Sequence, residues 1–129
     1  MAKLAILFPW RRKCLGEVLI DHDLASLGDS YANFIYSLAM SNKKGQPVGI
    51  KVKGSILCSA LKRAGLRDEL PSRMSTHTLA DAAEALLVYA WLSHRIGFEE
   101  SVQIIMKEKD PSEGLVRLLK IVKERITFP

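Results

Sequence analysis

The chain reads as all-α, a single helical domain spanning residues 1–129, and three observations predict this. Apolar residues recur at the 3 and 4 spacing of amphipathic helices over most of the length. Glycine and proline gather at a few points that cut the chain into helix-sized pieces. No internal repeat, low-complexity tail or interdomain linker interrupts the pattern. At 129 residues the chain is long enough to bury a core without staples, and strand signals are weak, the best being LAILF near the start.

The elements follow in order. Leu24, Leu27, Tyr31, Phe34, Ile35 and Leu38 set a first long helix from near Asp23 to Ser41. Asn42 to Gly54 (NKKGQPVGIKVKG) breaks the periodicity with three glycines and a proline, which makes it a loop. Ile56 to Ala64 forms a short helix closed by Gly65, and Leu70-Pro71-Ser72 marks the next break. The most apolar helix spans roughly Thr78 to Ile96, with Gly97 as its C-cap. Glu99 to Lys109 is amphipathic and stops before Pro111. Ser112 is the expected N-cap of a last helix to Arg125, with Glu113 suiting its first turn and Leu115, Leu118, Leu119, Ile121 and Val122 facing inward.

Hydrophobic content is 48% and charged content 26%, ordinary for a soluble globular protein, and no apolar run is long and uninterrupted enough to span a bilayer. Met1 to Trp10 (MAKLAILFPW) lacks a full h-region and a small-residue cleavage site, and Arg11, Arg12 and Lys13 follow it, so it reads as mature structure rather than a signal peptide. Cys14 and Cys58 show no CxxC or Cys/His spacing. They read as reduced thiols in a cytoplasmic setting.

Net charge is +5 with a pI near 9.4, and it is unevenly spread. Between Lys43 and Arg73 eight basic residues (Lys43, Lys44, Lys51, Lys53, Lys62, Arg63, Arg67, Arg73) face only Asp68 and Glu69. Such a block is either a solvated lysine-rich surface or the footprint of a phosphate-rich partner. The lysines flank a glycine-bearing loop without a GxxxxGK[ST] pattern, so no nucleotide cofactor is expected.

Asp81 and Glu84 stand three residues apart in LADAAEALLVYAWL, residues 79–92, which holds no other charge. The spacing puts both acids on one helix face, shared with His77, Val88 and Leu92. Asp29 has a similar setting in LGDSYANFIYSL, on a face with His22, Ala25, Ser26 and Asn33. Charges among residues that favour burial need partners or a metal. Two readings stay open: Asp81 as a helix cap with Glu84 paired to Arg95 or Arg73, or a divalent-metal site where the two acidic faces converge. Magnesium or manganese takes carboxylate oxygens and water, and a metal so held can serve phosphodiester cleavage.

LGDSYANFIYSLA resembles the signature of the ribonuclease III endonuclease domain, in which Leu-Gly-Asp opens into an apolar helix. LADAAEALLVYAWL resembles that family's second motif, an aspartate and a glutamate three apart followed by Ala-Leu. The resemblance covers roughly Asp21 to Leu92, and the small size is similar to archaeal ribonuclease III-like or mini-ribonuclease III proteins, which lack a double-stranded RNA-binding domain. It implies a homodimer, joined through the signature helix, that uses magnesium, with manganese as substitute, to cut structured or double-stranded RNA. Carried over by position, Asp29, Asp81 and Glu84 are the catalytic and metal-binding acids. The basic segment supplies Lys43, Lys44, Lys51, Lys53 and Arg73 as RNA-binding candidates, and His77, one turn before Asp81, is another. One departure stands out. Ala25 occupies the place, one turn before Asp29, where full ribonuclease III has a glutamate, and neither Asp21 nor Asp23 is an obvious replacement; water or Asn33 could fill the position. This departure motivates the alternative of a non-catalytic ribonuclease III-like RNA-binding or RNP-structural protein. A helical module for protein partners, with the acids as caps, is a third option.

Overall fold

The structure, a computed structural model, describes residues 4–128; Met1 to Lys3 and Pro129, the ends of the span read above as one domain, lie outside the described residues. Six helices follow one another among them: α1 (Leu15–Leu19), α2 (His22–Lys44), α3 (Gly54–Arg63), α4 (Thr76–Leu92), α5 (Phe98–Lys107) and α6 (Pro111–Arg125). A 3-10 turn at Arg67–Glu69 links α3 to α4. No strand occurs among the described residues, so the architecture is all-α. LAILF is irregular chain with Leu4 and Leu7 in solvent.

The axis of the fold is α4. A helix that is apolar on every side is a buried one, and α4 buries nearly all of Leu79 to Leu92. It packs most extensively against α2 and then α3, with α1 and α6 completing its surround, while α5 rests on α2 and α6. Leu86, Leu87, Leu92, Ile35, Leu57, Leu61, Ile105, Leu115, Leu118 and Leu119 form its fully buried centre. The α2–α4 contact is close because Gly28 faces α4. A Cβ at Gly28 would stand 2.0 Å from the Glu84 carbonyl oxygen, nearer than any two such atoms approach without moving backbone.

Several helix ends differ from the sequence expectation, each for a local reason. α2 starts at His22 because the Asp21 side chain accepts the Leu24 N–H, and it runs on to Lys44 before Gly45 ends it. The expected loop is therefore shorter, and α3 starts two residues earlier than Ile56, at Gly54. α4 begins at Thr76 because Ser75, not a later residue, accepts the Thr78 N–H. It ends at Leu92 rather than Ile96: the Arg95 N–H bonds the Ala90 carbonyl and the His94 N–H that of Trp91, with His94 at φ 59°. That is a Schellman closure built on a non-glycine residue, and Gly97 instead precedes α5. Asp110, not Ser112, caps α6, accepting from the Ser112 N–H and hydroxyl and leaving Pro111 in the first turn, where its missing N–H is harmless.

Candidate active site

α2 and α4 converge on one cavity of about 340 Å³, lined by His22, Ala25, Ser26, Asp29, Lys51, Val52, Gly54, Leu57, His77, Ala80, Asp81 and Glu84. The two acidic faces read from the helical spacing thus meet, and Asp29, Asp81 and Glu84 share a single hollow. Gly28 makes this possible, since its bare backbone seats against the Glu84 carbonyl and lays the next residue, Asp29, over the Glu84 side chain. The motif glycine is a packing requirement of the site.

The α2–α3 connector forms the rim. Three polar side chains on one face of α2, spaced i, i+4 and i+8, bind alternate residues of the extended connector. Ser41 Oγ accepts the Val48 N–H at 2.9 Å and donates to its carbonyl, and Ser37 Oγ does the same for Ile50 at 2.8 Å. Asn33 Oδ1 accepts the Val52 N–H at 2.8 Å, while its Nδ2 donates to Asp29 Oδ1 at 3.1 Å. Lys51, between two clamped residues, reaches Asp29 Oδ1 with its ammonium at 3.1 Å. Sequence reasoning missed this ladder; its trace was the four-residue spacing of Asn33, Ser37 and Ser41 along α2.

Glu84 is the least solvated charge-bearing side chain of the site, at 6% exposure. Burial pushes its carboxyl up to about 8, the facing Asp29 carboxylate and then Asp81 add to the rise, and Lys51 only partly offsets it. Asp29 moves the other way, held below the usual carboxylate range by the Glu84 carboxyl that faces it, then by Lys51 and Asn33. Near neutral pH the pair therefore holds one proton, on Glu84. Asp81 lies 3.5 Å from His77 Nε2, one turn earlier on α4.

These contacts overturn the cap and ion-pair reading. Ser75 caps α4, Asp81 lies in its second turn, and among the described residues neither Arg73 nor Arg95 pairs with Glu84. Asp21 is accounted for as the α2 cap and as the partner of Arg12 Nε at 2.7 Å. Of the basic candidates, Lys51 and His77 line the cavity and exposed Lys53 adjoins it. Lys43 is turned away, its ammonium on the carbonyls of Glu108 and Lys109. Lys44 and Arg73 are exposed and outside the cavity lining. Arg63 is taken by Glu113 and Arg67 by the Leu70 and Pro71 carbonyls.

Among the described residues no three His, Cys, Asp or Glu side chains gather tightly enough to grip an ion unaided. Asp29 Oδ1 already accepts from Lys51 and Asn33, and Asp81 faces His77. The chemistry of the set nonetheless suits a hard divalent cation: three carboxyls face one polar hollow, one of them buried among like charges with no fixed cation of its own.

No helix of the described residues is long and apolar enough to cross a membrane. Comparison with individual curated proteins returns no match. The family model for ribonuclease III matches residues 22–127, from the start of α2 to beyond the end of α6, and includes every acid of the cavity. The chain belongs to the ribonuclease III family, a family of nucleases acting on RNA.

Proposed function

We propose that this protein is a magnesium-dependent endoribonuclease that hydrolyses structured or double-stranded RNA. The observation that carries the reading is the meeting of Asp29, Asp81 and Glu84 in one hollow, where Glu84 is buried against two like charges. A buried carboxyl so placed destabilises the empty site and gains most from a cation. Asp29, Asp81 and Glu84 would hold magnesium or manganese through oxygen, with water at the place that Ala25 leaves open. When bound, the metal would supply positive charge against the phosphate oxygens and lower the pKa of a water, easing formation of the attacking hydroxide.

The chain's own residues do the remaining work. Holding a cation would require Glu84 to release its proton, which a pKa of about 8 favours as the pH rises. Asn33 holds Asp29 in register through the 3.1 Å bond from Nδ2. His77, exposed on the rim, stands where it can meet a backbone phosphate, and the connector lysines Lys51 and Lys53 face the approach of an anionic strand. Cleavage breaks one phosphodiester and leaves a hydroxyl and a phosphate monoester.

A homodimer joined through α2 accompanies this reading. Leu27 and Phe34 are 41% and 59% exposed and lie two turns apart on α2, with half-buried Tyr31 and Leu38 continuing the stripe. Phe34 stacks on Phe98 with ring centroids 5.3 Å apart, so the patch extends onto α5. An apolar face of this kind suits a second copy of the same helix.

Ala25 and the loosely gathered acids favour a second reading, a relative that binds RNA without cutting it. Incubating purified protein with long double-stranded RNA in magnesium or in EDTA separates the two. Magnesium-dependent shortening that Asp81→Asn abolishes supports the enzyme; tight binding with intact RNA in both buffers supports the second reading.

A further inference from the structure

The Lys51–Asp29 pair joins residues 22 apart in sequence, and the fold builds it deliberately. Ser41, Ser37 and Asn33 clamp Val48, Ile50 and Val52 by their backbones, so the connector is fixed in an extended run whose side chains alternate in direction. The backbone groups of the clamped residues face α2, and Lys51, between two of them, reaches Asp29 at the cavity rim. Asn33 serves both partners, holding the connector with its carbonyl and Asp29 with its amide. The ammonium nevertheless remains mobile in principle, because the Lys51 side chain is 74% exposed. The position one turn before Asp29 is Ala25, so the hollow has one acid fewer to share among cations.

We propose that Lys51 is a resident cation of the carboxylate site: it competes with a divalent ion for Asp29, and turns to the RNA phosphate when the ion takes that carboxylate. The inference rests on the metal-dependent reading above. One ammonium and three carboxyls leave room for fewer divalent ions than an all-acid site would attract, and Lys51 supplies the balance of positive charge to the substrate. Asn33 is then a positioning residue, acting on the reaction through Asp29 and the connector.

The test is manganese binding to the chain by calorimetry, with RNA binding measured alongside in calcium, a divalent ion that takes carboxylate oxygens. Lys51→Met keeps length and removes charge; Lys51→Arg keeps charge; Lys120→Met, on exposed α6 surface, repeats the same change in net charge elsewhere. Lys51→Met is expected to bind manganese about fivefold more tightly and RNA more weakly, the size expected for one nearby exposed charge. Lys51→Arg and Lys120→Met should stay near the wild type. If wild type binds manganese and Lys51→Met binds it equally, the lysine is a surface ion pair and the proposal falls alone. If wild type binds none while Lys51→Met does, the lysine role stands and metal dependence of the wild type falls. If neither binds, both fall.

Discussion

Replacing Glu84 by glutamine should stabilise the metal-free protein while destroying its site. The glutamine is nearly isosteric, so the α2–α4 contact and the seat of Gly28 are undisturbed, and its amide can donate to Asp29. What changes is the charge. The Glu84 carboxyl is raised from 4.5 to about 8 in the folded chain, so between those values the native state holds a proton that the unfolded state has released. Stability therefore falls as pH rises through this window: there is no penalty below the unfolded value and the full penalty above the folded one. At about 1.4 kcal/mol per unit, the whole shift is worth on the order of 5 kcal/mol, and water entry and relaxation bring the observable part to roughly 2–3 kcal/mol. Urea unfolding followed by circular dichroism, in EDTA, reads it directly. Glu84→Gln should match the wild type near about pH 4 and exceed it by that margin near about pH 9. A difference between the two proteins that stays constant across this range would refute the electrostatic account of Glu84.

Four further outcomes follow from the same geometry. Gly28→Ala drives a methyl into the Glu84 carbonyl and should cost about 3 kcal/mol or more in urea unfolding, with cleavage lost through displacement of Asp29. Phe34→Glu places a charge in the exposed apolar stripe of α2 and should convert a dimer to a monomer in sedimentation equilibrium, at a cost to the monomer of only about 1 kcal/mol from the lost Phe98 contact. Lys43→Ala, whose ammonium is held by the Glu108 and Lys109 carbonyls, should leave RNA affinity within about twofold. Lys53→Ala, at the cavity rim, should weaken it and flatten its dependence on salt by about one ion.

The sequence carried the helices with long periodic runs and missed those without them. α2 and α4 show many turns of repeated apolar spacing, so their acidic faces were legible, and the LGD and DAAEAL motifs tied those faces to one family. α1 has five residues, too few for any period to declare itself. The ends of α4 were displaced for a different reason. Ser75 caps it by a local bond, but its closure uses His94 in a left-handed conformation that side chains rarely adopt, so glycine at 97 was the more obvious stop. The least legible part of the site was its rim. The serine and asparagine ladder binds backbone groups of a connector that has no periodicity, and Lys51 meets Asp29 only once that connector is folded back. Composition singled out the basic segment as a block, yet the fold scatters it: Lys51 enters the site, while Lys43, Arg63 and Arg67 are spent on structural contacts.

If α2 and α4 together present a cation to RNA, anomalous scattering from crystals soaked in manganese will locate it. A manganese peak is expected in the α2–α4 hollow, within coordination distance of oxygens from Asp29, Asp81 and Glu84, and it should disappear in Glu84→Gln. A peak bound only elsewhere on the surface, or none in a protein whose crystals diffract well with the hollow open, would contradict that expectation.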